Sequence, residues 1–411
     1  MDRTIHRVSL AGLVLLGVLV PLAGTSRVRG VLLALLVVLG IARLCRQRDL
    51  RALSSPLNLA IGAFVVWQVV SLITAVDVLY SVHEIRKSLA SFVVFFLVLF
   101  TVRTRKQVDA ILACLVVMAG LVSVWGIGTF LAHHEALLNR GLRASSLMGS
   151  SQELSIYLVL IIPILLCLGF SSGDRLSRVV CLVTAFLSII LLVLTHTRGA
   201  WVGVAAEIAV YAWVQRRHVF GLVAATLVVA ALLGVIVVRE TRELTTLERW
   251  EEVNASVLAP ESLRVRLQVW EKGVHAIADH PLTGLGFGKN SFYKAYHERE
   301  GWLPEATHLH NLFLETAVEI GVPGLLILLW LFGLIVLNAW RVWRQNRCAE
   351  AGLVALAVIL MVTGFTISGL FDHMYVAGLA QFFWLLVALQ LATSRLPGGD
   401  GLVEVRDHDG V

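Results

Sequence analysis

Long apolar runs, broken by short polar connections, recur along the whole chain. Runs near the roughly 20 residues an α-helix needs to cross the hydrocarbon of a bilayer lie at about 8–24, 28–44, 57–76, 88–102, 108–131, 152–170, 176–195, 198–215, 219–238, 318–340, 351–371 and 375–394. The pattern predicts an all-α polytopic membrane protein of about twelve transmembrane helices. Arg3 and Arg7 precede the first run, but no clean small-x-small site follows Leu22-Ala23-Gly24, so it reads as a span and not as a cleaved signal. One connection stands apart, the long stretch from Arg239 to Asn311 between the ninth and tenth runs. The expected organisation is a single membrane domain over 1–395 that includes this 239–311 loop, followed by a short disordered tail, 396–411.

Composition sharpens the class. Of 411 residues, 58% are hydrophobic and 15% charged, and the mean hydropathy is +0.82, more apolar surface than a soluble core of this length can hide. The net charge of +6 does not mark a nucleic-acid binder, because the basic residues sit in short clusters between apolar runs. Those clusters give orientation instead. With a cytoplasmic N-terminus, the cytoplasmic connections hold eighteen Lys and Arg against seven in the opposite short ones. This bias predicts a periplasmic long loop and a cytoplasmic tail. Cys45 and Cys348 fall in cytoplasmic connections, the other three cysteines fall in spans, and the long loop has none, so no disulfide is expected.

Three clusters of chemically capable residues fall at the same predicted outer face. They are Thr195-His196-Thr197-Arg198-Gly199-Ala200-Trp201; Arg264 to Trp270, followed by His280 to Gly286; and His308-Leu309-His310-Asn311, leading to Gly321-Val322-Pro323-Gly324. The planar guanidinium fork holds phosphate oxygens bidentately and stays charged in any surroundings, so Arg198 and Arg266 suit a lipid diphosphate at the membrane surface. Arg264 is two residues from Arg266, and a helix would point it elsewhere. For all three, snorkelling to headgroups or a loop salt bridge is the plainer alternative. His310 can take a proton from an attacking hydroxyl, and Asn311 can orient a sugar. His308 and His310 can share a metal in an extended segment, but no third and fourth ligands at a familiar spacing accompany them, so no metal is expected. Glu315 and Glu319, four apart on one helical face, either polarise His310 or touch a sugar, with capping and solvation as the alternative. Glu207 follows Arg198 by nine residues, which on a helix is about 13 Å into the bilayer; an acid there is either functional or paired. Asp372-His373, in a short outer connection, either lines the site or is a wet turn.

These residues resemble the O-antigen ligase and O-antigen polymerase superfamily. His310-Asn311, nine residues, then Gly321-x-x-Gly324 fits the ligase spacing. Arg198-Gly199 opening a span, Arg266-x-x-x-Trp270 and His280-Pro281-Leu282-x-Gly284-x-Gly286 also look like family features. At Met148 to Leu154, where relatives often have an Asn, this chain instead reads Gly149-Ser150-Ser151-Gln152-Glu153. The resemblance implies a bacterial inner-membrane enzyme working at the periplasmic face. It would transfer a glycan from undecaprenyl diphosphate to an acceptor sugar such as that of the lipid A core, with inversion and without metal or other cofactor. Arg198, Arg266 and His310 would be catalytic, while Arg264, His308, Asn311, Glu315 and Glu319 would contact substrate. The rival within the superfamily is a polymerase joining lipid-linked repeat units. A single sizeable outer loop favours the ligase, since the next longest, Ala132 to Ser151, has about twenty residues. A small-anion transporter needs matched halves and intramembrane charges, and Glu207 alone lies deep in a span.

Overall fold

Described residues in the computed structural model are 2–47, 53–133, 143–171, 173–215, 260–297, 308–347 and 349–396. The predicted span at 219–238, much of the 239–311 loop, the side chain of Arg264 and the tail beyond Leu396 lie outside them. Helices occupy every predicted span range that falls on described residues. They are α1 Asp2–Leu19, α2 Ser26–Gln47, α3 Asn58–Val70 with a 3-10 turn at Ser71–Thr74, α4 Val78–Thr101, α5 Arg105–Ala132, α6 Ser151–Ser171, α7 Arg175–Leu194 and α8 Arg198–Gln215. After the undescribed stretch come α9 Pro260–Asp279, α10 Ser291–Tyr296, α11 Leu312–Gln345, α12 Glu350–Gly369 and α13 Ala377–Arg395. Six of these, α2, α5, α6, α7, α11 and α12, are long and apolar enough to cross a membrane. The protein is an all-α, polytopic membrane protein.

Local signals fix several starts. Asp77 caps α4 by accepting the Tyr80 N–H at 2.9 Å, and Asp174 caps α7 by accepting that of Ser177 at 2.8 Å. The Asp77 cap starts α4 ten residues before the predicted span, so its charged first turns, with Glu84 and Lys87 paired at 2.6 Å, stand beyond the apolar segment. Helices α6 and α12 are apolar on all faces and mostly enclosed, whereas α2 is largely exposed. Glycines bring α8 and α12 together. A Cβ at Gly203 would stand 2.7 Å from the Gly364 carbonyl, and one at Gly364 would stand 1.8 Å from Oε1 of Glu207. Glu207 is fully buried there, and among the described residues its carboxyl has no hydrogen-bond partner, so the pairing considered for it is absent.

One helix is broken. Within α11, Ile320 and Gly321 leave helical geometry, with Gly321 at φ 73 and ψ 175. The break releases carbonyls that in lipid would have no partner. Each finds one: Leu285 N–H donates to Val318 O at 2.8 Å, Gly286 N–H to Glu319 O at 3.0 Å, and Trp67 Nε1 to Ile320 O at 2.8 Å. The Val322 N–H donates to Pro281 O at 2.8 Å. The segment His280 to Gly286 is therefore a backbone complement to the broken helix. A side chain at Gly321 would meet Leu282 O at 2.1 Å, and one at Gly284 would meet the Glu319 carbonyl at 2.5 Å. Val76 N–H and Thr74 Oγ1 tie the same segment to the start of α4, donating to Leu285 O at 3.0 Å and Gly284 O at 2.8 Å.

Candidate active site

A small second apolar core carries the site. Val269 and Ala276 of α9 present one helical face to Leu285, Phe292, Leu309 and Val318. Trp270 Nε1 donates to Leu309 O at 2.8 Å, and Gly273 admits the Leu309 side chain, so α9 grips the residue between the two histidines. On the other side, α10 is clamped to α4. Lys294 pairs with Asp77 and lies over the Tyr80 ring at 4.4 Å, and Tyr80 Oη accepts the Asn290 N–H at 3.2 Å. The Asp77 carboxyl sits below its ordinary range, chiefly through the Lys294 hydrogen bond and then that of Tyr80.

Asn311 then fixes His310. Its Oδ1 caps α11 by accepting the N–H groups of Phe313 and Leu314 at 3.0 and 3.1 Å, and its Nδ2 donates to Leu370 O at 3.1 Å. Both ends of the amide are thus used inside the protein. His310 before it is held at φ 50, a region non-glycine residues rarely occupy and which recurs at functional sites. The tie to Leu370 brings the short connection after α12 beside the histidines. There His310 Nδ1 faces Asp372 Oδ1 at 3.2 Å, His308 Nε2 stands 3.9 Å from the same oxygen, and the two imidazoles lie 3.8 Å apart. Of these side chains His310 is the most open, at 34% exposure against 12% for His308 and 17% for Asp372.

Arg198 arrives from a third element. Gly199 packs so closely on Phe371 that a Cβ there would stand 2.7 Å from the Phe371 Cβ, which places the start of α8 next to Asp372. Preceding it, His196 takes φ 53, and Ala144 N–H donates to Leu194 O at 3.1 Å, so Arg143 joins the same end. Burial, then the charges of Arg143 and Arg198, hold the His196 imidazole below its ordinary value. Arg266 lies one turn before Trp270, half-buried on α9. Among the described residues neither Arg198 nor Arg266 forms an ion pair.

Electrostatics separate the titrating groups. Burial acts to raise the Asp372 carboxyl, but the facing His308 and His310 imidazoles and the His373 N–H outweigh it and hold the group below its ordinary value. Burial lowers His308, opposed by the Asp372 carboxylate 3.9 Å away. Burial, then the Lys289 ammonium, lowers His373 to about 3. Glu315 and Glu319 face inward: Glu315 Oε2 accepts the Leu309 N–H at 3.3 Å and lies 3.8 Å from His373 Nδ1. These acids are enclosed beneath the histidines, not solvated at the interface. The structure thus joins His308, His310, Asn311 and Arg198, with Arg266 on the adjoining helix. It adds Asp372 as the acid facing His310, and Lys289 as a nearby positive charge. The Asp372-His373 pair in a short connection was a visible signal for the first, while nothing in the sequence marks Lys289.

Residues 183–329 match the O-antigen ligase family. Among curated proteins, the chain is similar to two provisionally named polysaccharide ligases, from Rickettsia felis (22% identity, over 42% of this chain and 49% of the relative) and Rickettsia conorii (22%, over 30% and 37%). It is also similar to a protein of Halothiobacillus neapolitanus provisionally named a peptidoglycan glycosyltransferase (29%, over 42% and 39%). The matched stretches span about half or less of each relative's length. The family match covers Arg198, Arg266 and His310-Asn311 together with both glycine-bearing segments that meet at the break in α11. The chain therefore carries an O-antigen ligase family domain over residues 183–329, and that domain, with the similarity to the two polysaccharide ligases, supports its assignment to the O-antigen ligase and polymerase superfamily.

Proposed function

We propose that the protein is an O-antigen ligase-type glycosyltransferase of the bacterial inner membrane. In this reading it moves a glycan from undecaprenyl diphosphate to an acceptor sugar of the lipid A core at the periplasmic face, without a metal. About twelve spans form one membrane domain over 1–395, with the 239–311 loop outside and the 396–411 tail in the cytoplasm. The observation that carries the proposal is the meeting of the His310–Asp372 pair with the Arg198–Gly199 start of α8 through Phe371.

The chemistry follows from those positions. Asp372 accepts the Nδ1 proton of neutral His310, which leaves the Nε2 lone pair facing outward as a proton acceptor. An acceptor hydroxyl loses its proton to Nε2 as its oxygen attacks the anomeric carbon. The bond from that carbon to the diphosphate oxygen breaks on the opposite face, so configuration inverts in one displacement. The departing lipid diphosphate gains negative charge, which Arg198 and Arg266 stabilise. Arg264 and His308 extend the binding surface. Asn311, Glu315 and Glu319 act as positioning groups in this reading, instead of the sugar contacts first expected of them, because their polar atoms face the protein.

A polymerase joining lipid-linked repeat units is the second reading, and the similarity to a protein named as a peptidoglycan glycosyltransferase supports keeping it. Complementation separates the two. In a strain lacking its ligase, the expected result is restored attachment of long chains to lipid A core on a lipopolysaccharide gel. Longer chains in a strain lacking its polymerase, without rescue of the first strain, would replace the ligase reading with the polymerase one.

A further inference from the structure

We propose that His308, His310 and Asp372 together bind a divalent transition ion of the zinc class. One ligand atom from each lies within 4.8 Å of the other two. Asp372 Oδ1 stands 3.2 Å from His310 Nδ1 and 3.9 Å from His308 Nε2. Ligand atoms around tetrahedral zinc, with bonds near 2.0–2.2 Å, stand roughly 3.3 Å apart. One pair already has that spacing, and small rotamer shifts bring in the other two. Two imidazoles and one carboxylate suit zinc or cobalt, whereas calcium and magnesium take all-oxygen sets.

The surroundings favour the same ion. The His373 N–H donates to Asp372 Oδ1 at 2.8 Å and orients the carboxylate, as outer groups do at metal sites. Three protein ligands leave a fourth position open on the side where His310 meets solvent. Lys289, and Arg198 at the start of α8, are opposing charges that limit affinity.

Occupancy has a chemical consequence that rests on the proton-acceptor reading of His310. With Nδ1 on the ion, the neutral ring carries its proton on Nε2 and has no lone pair for an acceptor hydroxyl. Transfer that needs no metal would then be stopped by zinc and restored by a chelator.

The test uses the full chain in detergent, purified on a tag without histidine, and titrated with Co²⁺ while visible absorption is followed. The expected result is one Co²⁺ per chain, displaced by Zn²⁺, with affinity weakened at least about tenfold in both His308→Ala and Asp372→Asn, since even outer-shell losses cost roughly 10–100-fold. Thermal unfolding of each variant checks that it is folded. No stoichiometric binding by the wild type overturns the proposal, as does binding unchanged in both variants. Glycan transfer is measured in parallel. Co²⁺ bound at this site with transfer undiminished would overturn the proton-acceptor role of His310 and leave the ion site standing.

Discussion

Asp372 occupies His310 Nδ1 at 3.2 Å, and in the proposed mechanism this leaves Nε2 for the acceptor hydroxyl. The carboxylate therefore selects a tautomer and need not touch substrate, which makes it a positioning residue. His310→Ala is expected to lower transfer by roughly 10²–10⁴-fold, the usual contribution of a positioned base. Asp372→Asn keeps the shape but can present an amide N–H to Nδ1 and so favour the wrong tautomer. Its expected effect is a kcat loss of roughly 10²–10⁴-fold with KM little changed. Steady-state transfer from a lipid-diphosphate donor to a purified acceptor measures both, and an Asp372→Asn enzyme with wild-type kcat would remove the pairing from the mechanism. The sequence displays His310 plainly, beside Asn311 and at a family spacing. It does not display the pairing with Asp372, because 62 positions separate the two and only the packing of α11 on α12 closes that distance.

At the scale of elements, the break in α11 gives the glycine-bearing motifs their meaning. Gly321 adopts a backbone that other residues avoid, and Leu282 O fills the space a side chain would need. Gly321→Ala is expected to destabilise the protein by at least about 2 kcal/mol, from backbone strain of roughly 1–3 kcal/mol plus the clash. A lowered unfolding temperature in detergent would register it, and an unchanged one would show that the segment 280–286 can move aside. The clamp of α10 on α4 makes a second expectation. Because the folded Asp77 carboxyl lies below its unfolded value, the clamp's contribution is full above about pH 3.8 and declines as pH falls through the folded value. Lys294→Met should reduce that dependence to the part the Tyr80 cap supplies and speed amide exchange in 290–297 at neutral pH; unchanged exchange would mean that the apolar core around Phe292 suffices alone. The sequence groups His280 to Gly286 with the chemically capable clusters. Its hydrogen bonds answer for shape, since the backbone groups freed by the helix break are the ones it satisfies.

At the scale of the molecule, two polar clusters lie at opposite ends of the bundle, since α12 starts beside one at Glu350 and ends beside the other at Asp372. Beyond the site, the far end gathers His6, Arg43 and Gln107 in one hydrogen-bonded set, Arg105 with Glu350 at 3.4 Å, and exposed Cys45. In the proposed orientation this end is cytoplasmic. In a chain freed of native cysteines, a cysteine at exposed Asp279 should react with an impermeant maleimide applied from the periplasmic side, and one at exposed Lys106 only after lysis. The reverse pattern would overturn the orientation. The sequence by itself determined the apolar helices and the membrane as their solvent, because hydrophobic partition acts on local runs whose length and periodicity are written in order along the chain. It also named the His and Arg residues able to do chemistry. What only the tertiary structure decided was which of them meet: Asp372 with His310, Gly199 with Phe371, and Trp67 with a carbonyl 253 positions away. Those pairings depend on which helices pack side by side, a choice that local polarity leaves open and that close glycine contacts and unsatisfied backbone groups settle.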